Sequence, residues 1–144
     1  MNPDILYLAP MGVLSWIAWT DLNEARISNM QNLALLGASL AVASTMGTPT
    51  HWMAFGIVLV ACVALFFMAD GFGGGDAKML PSVALAIGPV FPIFLAAMAF
   101  IGIGLNVYRW ALPAVTWKRK TDMIPLGVAA APAYVFALVA GGVL

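Results

Sequence analysis

Charge is what this chain of 144 residues has least of: Asp, Glu, Lys and Arg make up 8% of it, where a soluble domain carries roughly 25%. With 63% hydrophobic residues and a mean hydropathy of +1.00, no room remains for a separate soluble domain, and the chain reads as a membrane protein. Six basic and six acidic residues cancel, so no net field draws it to nucleic acid. One cysteine, Cys62, excludes an intrachain disulfide; in its apolar run it reads as a small buried hydrophobe. One histidine, His51, leaves no Cys/His cluster for zinc, and no metal is expected. Beside Trp52 in a short loop, His51 reads as solvated. The opening residues Met1-Asn2-Pro3-Asp4 lack the basic stretch of a signal peptide, so the first apolar segment is expected to be retained.

What is present is apolar helix. A hydrocarbon core about 30 Å thick takes about 20 helical residues per crossing. Six runs fit: residues 5–20, 30–46, 52–69, 77–88, 90–112 and 124–143. The expected fold is therefore all-α, a polytopic membrane protein with six transmembrane helices in a single domain over residues 1–144. Merging the short fourth run with the fifth into one Pro-kinked helix would give five crossings instead. Charge decides between the two. With six crossings and the N-terminus outside, Arg26, Lys78, Arg109, Lys118, Arg119 and Lys120 all fall on the cytoplasmic side. Five crossings strand the 118–120 cluster outside. Gly88-Pro89-Val90-Phe91-Pro92 then reads as the outer turn between the fourth and fifth helices. Trp16, Trp19, Trp110 and Trp117 near the inner boundary and Trp52 near the outer one fit aromatic belts. Gly37, Ala38, Gly102 and Gly104 suit close helix packing in lipid.

Against that background two acids stand out. Asp21 closes the first apolar run, and Asp76 ends the turn Gly71-Phe72-Gly73-Gly74-Gly75. Ionisable groups at membrane depth are costly and mark function. The topology puts both on the cytoplasmic face. Two carboxylates sharing one site cannot both ionise freely, so one keeps a proton; one can activate water while the other protonates the scissile group. Negative charge is favoured at a helix N-terminus and disfavoured at a C-terminus. On that ground Asp76 is expected to be the ionised base and Asp21 the protonated acid. Gly73-Gly74-Gly75 lets backbone approach backbone, as an extended substrate strand would require; the alternative is a plain flexible loop with Asp76 as a helix cap. Asp70 reads as a solvated loop charge.

These residues resemble the type IV prepilin peptidases. That family carries an aspartate followed by a basic-containing stretch ending in Ile-Pro-Asn, then Gly-x-Gly-Asp-x-Lys, then a last helix opening with Ile-Pro-x-Gly. Here the counterparts are Asp21 through Arg26-Ile27-Ser28-Asn29, then Gly73-Gly74-Gly75-Asp76-Ala77-Lys78, then Ile124-Pro125-Leu126-Gly127. Ser28 departs from the usual proline, which weakens a helix-start signal. The resemblance implies a membrane aspartic endopeptidase with Asp21 and Asp76 as the catalytic pair. It implies Gly73, Gly75, Lys78, Asn29, Pro125 and Gly127 as substrate-binding or site-shaping residues. The paired cysteines of the methylating members are missing, so the chain is similar to the short, peptidase-only branch of Tad/Flp-type pili, with no S-adenosylmethionine or other cofactor. The implied partners are the bilayer of a bacterial inner membrane and a prepilin or pseudopilin with a short basic leader. Asp21, Glu24, Asp70, Asp76 and Asp122 could attract that leader, with salt screening the attraction. Two alternatives stay open: a presenilin-like Gly-x-Gly-Asp protease, and a non-catalytic subunit or small ion-coupled transporter that uses the same aspartates.

Overall fold

The structure, a computed structural model, describes residues 3–24, 26–46, 48–68, 73–111 and 126–144. Gly71, Asp70, Trp117, Lys118, Arg119, Lys120, Asp122 and Pro125, singled out above, lie outside the described residues. Among the described residues there is helix and turn but no strand. A short 3-10 turn at Pro3–Tyr7 leads into α1 (Leu8–Glu24), followed by α2 (Asn29–Met46), α3 (Pro49–Met68) and α4 (Gly74–Ile87). A second 3-10 turn, Gly88–Val90, joins α4 to α5 (Phe91–Ala111), and α6 (Leu126–Ala140) comes last.

Local chemistry sets several of these boundaries. Proline opens α3, where its missing N–H costs nothing. Gly88 takes φ 48°, a left-handed conformation that suits glycine, and it ends α4 before Pro89. At the start of α2 the Ser28 N–H donates to Gln31 Oε1 at 2.8 Å, and the Gln31 N–H donates back to Ser28 Oγ at 3.2 Å. This is a reciprocal capping box. Serine thus starts α2 by a different device from proline, and the motif's departure is no loss of a helix signal.

Among the described residues three helical stretches are long and apolar enough to cross a membrane: Ile5–Glu24, Pro49–Met68 and Gly74–Val107, the last broken by the Gly88 turn. α6 is apolar but shorter. α2 carries Asn29, Gln31, Asn32, Ser39 and Thr45 and is the more polar member. The chain reads as a multi-pass membrane protein.

α4 forms the centre. Every residue from Met79 to Ile87 is buried, whereas α3 buries only His51 and Cys62. α3 runs antiparallel to α4, since Phe66 near its end meets Gly74 and His51 near its start meets Gly88. α2 runs parallel to α4, with its first turn against that of α4. α1 and α6 are antiparallel, because Asp21 meets Gly127. α6 presents Ala129, Ala130, Ala133 and Ala137 to the interior, small side chains that let helices approach closely in lipid. Gly37 and Gly104 do not serve that purpose, since a Cβ at either would meet nothing within 4 Å. Tight approaches between elements occur instead at Gly75, Gly88, Gly127 and Gly141. One end of the bundle therefore gathers the end of α1 and the starts of α2, α4 and α6.

Candidate active site at one end of the bundle

Asp21 lies in the last turn of α1 and is 6% exposed. Its Oδ2 accepts the backbone N–H of Gly127 at 3.1 Å. Gly127 is the second residue of α6, so that N–H is among the donors a helix leaves without an internal partner. A Cβ at Gly127 would stand 3.0 Å from Asp21 Oδ2 and 3.1 Å from Ile17 Cγ2. Glycine is thus what lets the helix end come down onto the acid.

Asp76 is half-buried in the first turn of α4. Its carboxylate folds back over Gly73, the residue that caps the helix with φ −70° and ψ 140°. A Cβ on Gly73 would come within 2.9 Å of Asp76 Oδ2. Gly74 and Gly75 are helical rather than part of a free loop, and Gly75 packs on Ile27, where an added Cβ would find Ile27 Cβ at 3.0 Å. Asp21 and Asp76 interact electrostatically, so acids from α1 and α4 share one neighbourhood. Each is set at a helix N-terminus, Asp21 at that of α6 and Asp76 at that of α4. The polarity contrast that separated acid from base in the sequence is therefore lost.

The first turn of α2 holds the arrangement together. Lys78 Nζ donates to Asn29 Oδ1 at 2.8 Å, and Asn32 Nδ2 donates to the Gly75 carbonyl at 3.4 Å. Gln31 Nε2 donates to Thr20 Oγ1 at 2.7 Å, next to Asp21. Gly127 thus meets Asp21 and Gly73 meets Asp76, whereas Gly75 packs on Ile27 and Lys78 bonds Asn29 at the same end of the bundle; Pro125 lies outside the described residues. Gln31, Asn32 and Thr20 were not anticipated. The spacing Ser28-x-x-Gln31 is a capping-box signature and could have flagged Gln31; nothing local marks Asn32.

His51 corrects an expectation. It is 6% exposed, not solvated, and its Nδ1 lies 3.0 Å from the Leu85 carbonyl. A carbonyl only accepts, so Nδ1 carries the proton. Leu85 needs this donor because the residue four positions on is Pro89, which has no N–H. His51 is at the far end from the acids and belongs to the scaffold. Cys62 is buried, as its apolar run suggested. Among the described residues no group of three or more His, Cys, Asp or Glu could hold a metal ion.

Neither a curated protein nor a solved structure matches the chain. A family model does: residues 8–107 match the type IV leader peptidase family, a stretch that covers most of the chain and contains both Asp21 and Asp76. The chain belongs to the type IV leader peptidase family.

Proposed function

We propose that this protein is an intramembrane aspartic endopeptidase that removes the short basic leader from type IV prepilins or pseudopilins. The observation that carries the reading is the shared neighbourhood of Asp21 and Asp76, within a member of a leader peptidase family. In this reading the two carboxyls hold a water between them. One takes its proton as it attacks the scissile carbonyl, while the other protonates the carbonyl oxygen; as the C–N bond breaks, the first gives its proton to the leaving amine and the second regains one from the gem-diol. Asp21 fits the base, because the Gly127 amide suits an ionised carboxylate. Asp76 then serves as the acid. This reverses the roles expected from helix polarity alone, which took no account of the start of α6. Gly73, Gly75, Lys78, Asn29, Gly127 and Pro125 shape the site. No cofactor takes part.

The proposal extends to topology: six crossings in one domain, the N-terminus outside, and the acids at the cytoplasmic face of a bacterial inner membrane. Labelling of single cysteines introduced near Asp4 and near Glu24 in inverted and right-side-out vesicles tests it; labelling of both from one side sinks it.

The central experiment mixes the full chain in bilayers with a prepilin carrying a basic leader. Leader removal should fall by at least about 10²-fold in Asp21→Asn and in Asp76→Asn. Unimpaired cleavage by both variants would reject the acid pair, whereas no cleavage by the native chain would favour a scaffold or transporter role.

A further inference from the structure

A groove of about 700 Å³ opens between α2, α3 and α4, within the usual size of a ligand site. Its walls are apolar, formed by Leu33, Leu59 and Phe66 among others, and its polar end holds Asn32 and Lys78. Neither aspartate lines it, but Ala77 and Lys78 do, so it starts beside Asp76 and runs along the bundle away from it. Asn32 is 6% exposed, and among the described residues its Oδ1 has no hydrogen-bond partner. A buried acceptor left without a donor costs about 1–3 kcal/mol. The amide is held only by the 3.4 Å bond from Nδ2 to Gly75, near the limit for such a bond.

We infer that this groove seats the apolar segment of the peptide substrate beyond the cleaved bond, with Asn32 Oδ1 accepting one of its backbone N–H groups. The inference rests on the peptidase reading above. The competing occupant is a lipid chain, since Leu33, Phe66 and Phe67 are well exposed. Hydrogen-bond chemistry separates the two. An acyl chain and its ester bring no donor for Asn32, whereas a peptide backbone brings one at nearly every residue. Position agrees: a peptide whose scissile bond lies at Asp76 has its neighbouring residues within reach of Asn32, which bonds the carbonyl of Gly75. Asn32 is here a substrate-positioning residue and takes no proton.

The test uses the full-length Asp76→Asn chain in phosphatidylcholine bilayers, so that binding is read without hydrolysis. The probe is a synthetic peptide with a basic leader and an apolar segment carrying a photoreactive side chain. Label is expected on groove residues such as Leu33, Leu59 and Phe66. Asn32→Leu should reduce labelling about threefold to tenfold, the loss of one neutral hydrogen bond. Leu59→Trp, which fills the groove from α3 and leaves the Asn32–Gly75 bond alone, should reduce it at least as much. Replacing successive peptide N–H groups by ester oxygens should cost a similar factor at one position, and that cost should vanish in Asn32→Leu. Label confined to lipid-facing residues such as Phe100, or ester substitutions that cost the same with and without Asn32, would overturn the inference. Cleavage by the native chain with unchanged labelling in both groove variants would reject the groove and leave the acid pair standing. Labelled grooves without any cleavage would reject the acid pair instead.

Discussion

The backbone N–H of Gly127 donates to Asp21 Oδ2 at 3.1 Å, and the same carboxylate fills the space that a side chain on Gly127 would need. One glycine therefore does two things: it lets α6 approach, and it aims a helix N-terminus at the acid. Residue 127 lies beyond the 8–107 stretch that matches the family model, so the support for Asp21 comes from the chain's last helix.

Gly127→Ala should accordingly damage catalysis more than folding. The added Cβ would stand 3.0 Å from Oδ2 and 3.1 Å from Ile17 Cγ2, so the carboxyl must shift by a few tenths of an ångström and its 3.1 Å amide bond is weakened. Misplacement of a reacting group by about 1 Å can cost about 10²-fold. A fall of about 10- to 100-fold in kcat with little change in KM is expected from steady-state cleavage of a prepilin. An equal effect on KM alone would move Gly127 out of the catalytic neighbourhood.

His51 and Pro89 should be coupled. Leu85 O lacks the helix donor that Pro89 cannot supply, and His51 Nδ1–H fills the gap at 3.0 Å. His51→Leu should destabilise the protein by about 1–3 kcal/mol, the cost of a buried acceptor left bare, while cleavage per folded molecule is kept. In a Pro89→Ala background an N–H is restored four positions after Leu85; where it takes over the Leu85 carbonyl, the same His51→Leu change should cost less. Thermal unfolding of the four proteins of this double-mutant cycle measures the difference.

The capping box of α2 predicts a local effect. Ser28→Ala removes the acceptor for the Gln31 N–H and should cost about 0.5–2 kcal/mol. Hydrogen exchange should quicken in the first turn of α2. Gln31→Ala should do the same and also release Thr20, whose hydroxyl Gln31 holds at 2.7 Å. Cleavage should then fall more in Gln31→Ala than in Ser28→Ala, because Thr20 adjoins Asp21.

Much of this was legible in the sequence because apolar runs broken by Gly and Pro mark helices directly. The fifth run, residues 90–112, corresponds to α5 at Phe91–Ala111. The fourth starts three residues earlier than expected, at Gly74, since two of the three glycines enter the helix under contact with Ile27 and Phe66. The partner of Asp21 was hidden for another reason. Helix polarity was judged within α1 alone, and the donor comes from a residue 106 positions away. His51 was misjudged because its neighbours in sequence are polar or aromatic, whereas its burial depends on a carbonyl at the end of α4. Asn32 carried no signal: an amide in a moderately polar helix looks solvated until α4 covers it.

The glycines offer the sharpest contrast, because one substitution should act in opposite ways at two places. At Gly37, in the middle of α2, an added Cβ meets nothing within 4 Å. Gly37→Ala should leave cleavage unchanged and stabilise the helix by about 0.5–1 kcal/mol, the usual cost of glycine in a helix interior. At Gly73 the same methyl would sit 2.9 Å from Asp76 Oδ2, a separation that Cβ atoms do not adopt. The backbone there, φ −70° and ψ 140°, is open to any residue, so the requirement for glycine comes from space and not from conformation. Gly73→Ala should therefore fold, keep its melting temperature, and lose about 10²-fold in cleavage as the acid is pushed out of line. Parallel melting curves and prepilin cleavage assays on the two variants check both halves. If Gly73→Ala cleaves as the native chain does, the Asp76 carboxyl does not work from the place where it folds over Gly73.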